Sequence, residues 1–518
     1  MAYMNTPAYL CAMTLGALTV AQAAHAGGPI EDPIPEPIPD SDKYVQLVTI
    51  AEGFTAPNNA AHAPGDPIDR LFVADQDGIV WDVNLQTGEK RIVLDVSDRL
   101  VELGLNGPGT FDVRGMLGMT VHPDFVNNGL MYTFTSEPAD GEADFTTLPD
   151  DVEPAHQSVI IEWQMPNPTD PQSVFDPDSA RELLRVDQPQ SNNNGGAMAF
   201  GPQGFLYISF GDGGSEDDMG VGHSDVGNGQ DPTNILGSII RIDPQGANAA
   251  NGQYGIPEDN PFAPTDGPQV NEIFIHGFDN PFRHSFDSET GDFYNATVGS
   301  VAVEEINRIE FPFPTQGDSD VLAGGNFGWR CKEGSFFIDP NGDEPAFLTK
   351  NPPHDVPSDL IDPIAEFDQD EGLAVIGGHV YNGTKIMGLK ERFVFGTLTQ
   401  TFTAPDGELF FLNKDDEIRR LNLVDADDTG LFVQTFARDN DGELYVLGNL
   451  TGTPFESTGM LKMIRTLPGD LNASGAVNIA DLIMLLNNWG ACPGCPADVD
   501  DDGTVGVSDL LILLGNWG

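Results

Sequence analysis

Two sets of residues in this chain have the types and spacing to do chemistry. The first is a pair of acidic loops near the C-terminus. Asp470, Asn472, Ser474, Ala476, Asn478 and Asp481 stand at positions 1, 3, 5, 7, 9 and 12 of a loop, with Gly475 at position 6. Asp498, Asp500, Asp502, Thr504, Gly506 and Asp509 repeat the arrangement with Gly503 at the same position. Calcium takes about six to eight oxygens, and this spacing wraps a loop around one ion with glycine at the sharp turn. The second set is a pair of glycine loops. Asn192-Asn193-Asn194-Gly195-Gly196 and Gly211-Asp212-Gly213-Gly214 flank the alternating run 205–210, FLYISF. Glycines there permit turns a β-carbon would forbid and let a ligand approach the main chain. Asn193 can orient a hydroxyl, but it accepts no proton at neutral pH.

The elements that must position these residues are mostly strands. Alternation bounded by turn residues predicts a half-buried strand at 205–210, entered from a turn at Gly201-Pro202-Gln203-Gly204. Segments 69–83, 118–136, 199–213, 286–299 and 437–449 share that theme of a polar turn followed by an aromatic-rich strand. Irregular copies of one strand–turn–strand unit predict an all-β chain, a six-bladed β-propeller over 44–465. A sandwich of similar length would not account for the repeat. At roughly 70 residues per blade, against ~40–45 in compact propellers, the excess falls in loops, where sites are built.

The calcium loops predict a separate α-helical module over 468–518, of EF-hand type. Each loop runs into a short helix with an apolar stripe, Leu482, Leu485, Leu486 and Trp489, then Leu510, Leu513, Leu514 and Trp517. The two stripes are expected to pack together. Cys492 and Cys495 lie between the loops without a second pair to complete a zinc set. A structural disulfide is the reading, leaving Cys331 single and buried.

Charge narrows the partners. With 81 acidic and 23 basic residues the formal charge is −58, which excludes nucleic acid because phosphate binding needs a basic footprint. The surplus reads as a highly solvated surface suited to saline surroundings. At the N-terminus an apolar stretch runs to Ala24-His25-Ala26, a small-x-small cleavage pattern, although no Lys or Arg precedes it. Residues 1–26 read as a signal peptide carrying Cys11 away, and the protein as secreted, extracellular or periplasmic. No later segment is apolar for long enough to span a membrane. Residues 27–43, with prolines at 29, 33, 35, 37 and 39, read as an acidic tether.

Segments collinear over 44–465 resemble the soluble PQQ-dependent sugar dehydrogenases, the glucose/sorbosone dehydrogenase family. They include RGMLGMTVHPDF (114–125), NNNGG followed by FGPQGFLYISFGDGG (200–214), HGFDNPFRHSFD (276–287), the acidic pair Glu304-Glu305, and GGNFGW (324–329). The resemblance implies PQQ and calcium as cofactors and oxidation of a sugar hydroxyl by hydride transfer to the quinone. Asp212, Asn280, Arg283 and Trp329 are then the cofactor-binding candidates. Asn193 stands where the family has its histidine base, Asp279 where it has a cofactor-facing arginine, and Phe327 where it usually has tyrosine. A substitute base would come from His223, in the insertion 213–230, ahead of His122 or His284. That insertion has calcium-binding carboxylates as a second reading. The last 50 residues are similar to a type I dockerin, whose loops also end in Asp. The similarity implies a cohesin-like partner meeting Ile479-Ala480 and Val507-Ser508.

Two functions follow from these residues. One is a secreted PQQ- and calcium-dependent dehydrogenase acting on a sugar or polysaccharide-derived small molecule. The other is an inactive carbohydrate- or protein-binding propeller, attached by its tail to a surface or a polysaccharide-degrading assembly. A calcium-dependent hydrolase or lactonase ranks below both, since no nucleophile–base pair is recognisable.

Overall fold

A computed structural model describes residues 29–518, apart from 108, 264–266, 314–323, 340–345 and 354. Residues 1–26, read above as a signal peptide, and with them Cys11, lie outside the described residues. Antiparallel meanders of four strands dominate. The first joins Pro57–Ala61, Arg70–Asp75, Ile79–Asn84 and Lys90–Asp95, and the second Met116–Val121, Leu130–Glu137, His156–Gln164 and Asp176–Gln188. The third joins Met198–Phe200, Leu206–Phe210, Ser238–Ile242 and Ile273–His276. The fourth joins Asn280–Phe286, Phe293–Val298, Val303–Ile309 and Ala365–Asp368.

Two more meanders are fused into one eight-stranded sheet. One runs from Leu373–Val380 to Ile418–Leu423, the other from Phe432–Arg438 to Gly459–Arg465. The strand Asp40–Phe54 joins them, antiparallel to Gly459–Arg465 (Leu47 opposite Ile464) and parallel to Ile418–Leu423 (Val45 opposite Leu423). A chain end pairing with the last meander removes the open sheet edges that two separate sheets would leave.

The first strands of the meanders close a ring. Pro57–Ala61 packs on Met116–Val121, that on Met198–Phe200, and so on through Asn280–Phe286, Leu373–Val380 and Phe432–Arg438, which returns to Pro57–Ala61. Neighbouring sheets therefore cover both faces of a strand. This corrects the half-buried reading of 205–210, since every residue from Leu206 to Phe210 is buried. Its turn forms as expected, with Gly201 N–H donating to Phe205 O at 2.9 Å. Close approach near the axis needs glycine. A β-carbon on Gly118 would lie 1.9 Å from Gly196 O.

The proline-rich segment is no free tether. Ile34 N–H donates to Asp368 Oδ2 at 2.9 Å, Ile38 is buried, and the first strand already starts at Asp40. At the other end, the helices Ile479–Asn487 and Val507–Gly515 follow the two acidic loops. Asn478 and Asp481 form a capping box on the first helix, satisfying N–H groups that the helix itself cannot. Leu485 and Leu513 are fully buried with Leu471, Val477, Ala497 and Val505 around them. Leu482 and Leu510 pack against that core at its edge, and the rest of the predicted stripe stays outside. Leu486, Trp489, Leu514 and Trp517 are 46–52% exposed, because the loops' own apolar residues fill the small interior and leave room for one helix face. Cys492 and Cys495 form the disulfide, and Cys331 is single but only half-buried. The tail rests on the body through Tyr44 N–H on Ala473 O at 2.8 Å and the Lys385–Asp501 ion pair.

Candidate functional site

The glycine loops come together where the ring strands begin. Asn193 has a left-handed backbone, φ 51°, which asparagine tolerates better than most residues. That turns its side chain onto two carboxylates. Asn193 Nδ2 donates to Asp212 Oδ1 at 3.1 Å and to Asp279 Oδ1 at 2.5 Å. Trp329 Nε1 donates to Asp212 Oδ2 at 2.9 Å, and Gly214 N–H donates to Asp212 Oδ1 at 2.8 Å. Asp212 and Asp279 are buried, and burial raises both carboxyls well above the usual range, helped for Asp212 by Asp279 and Asp218. Neither is paired with Lys or Arg among the described residues.

More carboxylates stand behind them. Glu304 is pushed up to about 7 and Glu305 to about 8, chiefly by burial. Their oxygens accept main-chain donors, Glu304 from Val375 N–H at 2.9 Å and Glu305 from Gly334 N–H at 2.6 Å. Glu333 accepts four successive N–H groups, those of residues 300–303, at 2.6–2.9 Å. Glu333 is the organising residue that sequence reasoning missed. It sits in no recognisable motif, and its partners are main-chain groups that sequence does not display.

The other predicted residues take different places. Asn280 Oδ1 accepts from Gly195 N–H at 3.0 Å, so it holds the paired-glycine loop. His223 Nδ1 meets Asp218 Oδ1 at 2.7 Å, with its side chain fully buried, and it has no bond to Asn193. Asp218 also accepts from Asn228 N–H at 2.8 Å, which organises the insertion 213–230 as a tight loop. His122 Nδ1 accepts Asp124 N–H at 3.0 Å, the turn-capping role its His-Pro-Asp context predicts. Arg283 lies along the channel, on main-chain oxygens of Phe282 and Asn58, and away from the carboxylate pair.

The glucose/sorbosone dehydrogenase model matches residues 67–453. The chain belongs to the glucose/sorbosone dehydrogenase family. It is 30% identical to the HIPL2 protein of Arabidopsis thaliana over 361 residues, 62% of this chain and 48% of that protein. It is 31% identical to the human Hedgehog-interacting protein over 247 residues, 47% of this chain and 32% of that protein. The chain thus spans about half, or less, of the length of these curated relatives. A similar fold is seen in the soluble aldose sugar dehydrogenase of Escherichia coli in its apo form. The TM-score is 0.57 at 19% identity, covering 81% of this chain and 99% of that one. The PQQ-bound aldose sugar dehydrogenase of Streptomyces coelicolor gives 0.51 at 18% identity, covering 83% and 99%.

Within this family member the residues present do not fit PQQ. The quinone carries three carboxylates and gains negative charge on reduction, so its site must supply cations and a base. Here the corresponding position offers two buried carboxyls and an amide already committed to both. An unpaired anion brought beside buried carboxylates is strongly disfavoured.

The tail loops fit calcium better. Asp498, Asp500 and Asp502 bring one oxygen each within 4.8 Å of one another, and Asp498 Oδ1 is buried without a hydrogen-bond partner. Asp509 accepts Val499 N–H at 2.6 Å and Gly506 N–H at 2.7 Å, closing the loop. Asp481 does the same in the first loop with Leu471 N–H at 2.9 Å and Asn478 N–H at 2.8 Å. Asp470, Asn472, Ser474 and Ala476 lie along that loop, with Asp470 Oδ2 accepting Gly475 N–H at 2.8 Å. Thr504 and Gly506 complete the second.

Proposed function

We propose that this chain is a non-redox binding member of its family. It would be a six-bladed propeller, exported, that engages a carbohydrate or protein ligand, with a calcium-binding, dockerin-like tail attaching it to a partner. The observation that carries this reading is the Asn193 amide held between Asp212 and Asp279. Hydride transfer from a sugar needs a base poised to take the hydroxyl proton. Asn193 supplies none, and His223 is turned onto Asp218.

Two of the three departures from the family pattern, Asn193 and Asp279, fall on redox chemistry, while the framework residues Trp329 and Asn280 keep structural bonds. A relative named for interacting with Hedgehog, and so for a partner, supports the same view. For export, the small-x-small pattern at 24–26 and the structural disulfide are the support. Among the described residues no helix is long and apolar enough to cross a membrane. For the tail, the two loops present Ile479 and Val507, then Ile483 and Leu511, at equivalent exposed positions, an apolar surface suited to a cohesin-like protein.

The test is a calorimetric titration of the calcium-loaded protein with PQQ, followed by dye reduction with a panel of aldoses. No binding and no turnover are expected. The double variant N193H/D279R should gain measurable PQQ affinity. Tight PQQ binding with aldose-dependent dye reduction by the unaltered chain would overturn the reading and restore the dehydrogenase.

A further inference from the structure

A cavity lies at the opposite end of the ring from the carboxylate pair, toward the C-terminal ends of the ring strands. It encloses about 700 Å³, and all six ring strands contribute to its wall. Its polar lining runs against the character of the chain. In a protein with only 23 basic residues against 81 acidic ones, this cavity gathers Arg283, Arg438, His62, His284 and His379.

These groups are short of partners. Arg283 is 4% exposed with Nε unsatisfied, and its only bonds are to main-chain oxygens. Arg438 Nη1 is buried without a partner, as is His379 Nδ1. Neither arginine has a carboxylate within 4 Å among the described residues. Asp287 and Asp439 stand close enough to favour the charge of Arg438, but neither forms an ion pair with it, and no acid among the described residues acts on Arg283. Asp287 accepts from Asn382 Nδ2 at 2.7 Å and Thr290 Oγ1 at 2.8 Å, and Asp439 from Tyr445 OH at 2.9 Å. Glu289 at the rim faces Lys390 at 3.6 Å.

A buried guanidinium without a counter-ion is costly unless something supplies one. Burial, with the Arg438 charge as a second cause, lowers His62 to about 4 and His379 to about 3. Hydroxyls of Thr120, Ser285 and Thr435 and several apolar side chains make up much of the rest of the wall. Met119, Phe286, Phe311 and Phe436 line it, so the cavity suits an organic body and not a bare ion alone.

We propose that this cavity is a second binding site, one that takes a small organic oxyanion of sugar size. Its carboxylate or phosphate would meet Arg438 and the histidines, and its carbon skeleton would lie against the phenylalanines. A guanidinium presents a planar fork of donors matched to either oxyanion. The site is separate from the Asn193 cluster and does not depend on how that cluster functions.

Calorimetry on the full-length, calcium-loaded protein at pH 7 tests this, with glucuronate, glucose 6-phosphate and glucose as probes. At least one charged sugar is expected to bind at least tenfold more tightly than glucose, and more weakly as salt rises. Glucuronate above glucose 6-phosphate would identify a carboxylate site, and the reverse order a phosphate site. R438Q should lose at least tenfold of that affinity while its thermal midpoint stays near that of the parent. H62Q, a milder change at the same wall, should lose about threefold and covers the case in which R438Q does not fold. Equal binding of all three probes, or charged-sugar affinity unchanged in both variants, would overturn the proposal.

Discussion

Replacing Asp279 by asparagine removes one of two buried carboxyls without changing shape. Both carboxyls accept the same Asn193 Nδ2, at 3.1 and 2.5 Å, which puts the accepting oxygens within about 5.6 Å of one another. Two full charges at that distance repel by about 3 kcal/mol at an effective dielectric of 20. The native protein escapes part of this by retaining a proton, which becomes harder as pH rises. The introduced amide would keep an oxygen for Asn193 and carry no charge. D279N is therefore expected to stabilise the body by about 1–3 kcal/mol at pH 8, and by less at pH 5, where holding a proton on the native carboxyl costs less. Urea unfolding followed by tryptophan fluorescence, at both pH values and fixed calcium, measures the difference. Destabilisation at pH 8 would refute the reasoning, since it would mean that the second charge is compensated by a bound cation. An equal gain at both pH values would also refute it.

The wider acidic cluster gives a pH dependence of its own. The folded pKa of Glu304 (about 7) and Glu305 (about 8) exceeds the unfolded value near 4.5, so the native state holds more protons between those limits. Their contribution is fully present below about 4.5 and is lost as pH rises toward 8. The E305Q variant should flatten the fall in thermal midpoint across that window. Trp329→Phe deletes the bond to Asp212 Oδ2 and should cost about 1–3 kcal/mol in urea unfolding, with the larger loss at high pH. Gly211→Ala would place a β-carbon 2.0 Å from Asn193 O, so that loop must shift, at about 1–3 kcal/mol by the same measurement. Chelating calcium should remove helical circular dichroism from Ile479–Asn487 and Val507–Gly515 and leave the strand signal intact. D498N should weaken calcium binding of the second loop at least tenfold by titration. Retained helicity in chelator would show that these loops are not calcium sites.

Local features were legible because local residues encode them. The turn at 201–204, the short helices that follow the two acidic loops, and the Cys492–Cys495 disulfide each depend on residues a few positions apart. The strands of the ring were legible as strands, but not as doubly covered ones. Alternation in 205–210 marks one face, whereas the packing of sheets on both sides is a relation between segments far apart. The tail was half legible. Helical spacing gave the stripe, and only the volume already filled by Leu471, Val477, Ala497 and Val505 decided that Leu485 and Leu513 go inside while Trp489 and Trp517 stay out.

For the site itself, sequence determined which chemistry is missing. An asparagine at 193 takes up no proton at neutral pH and an aspartate at 279 carries no positive charge, whatever the fold, because those limits belong to residue type. What those residues do instead was settled by tertiary structure. Asn193 and Asp279 are 86 positions apart, and their contact at 2.5 Å exists only because the third and fourth meanders start side by side in the ring. The same closure gathers Arg283 and Arg438, 155 residues apart in sequence, into one cavity with three histidines. Charge can be counted along a chain. Where it is left unpaired depends on which surfaces folding buries against each other.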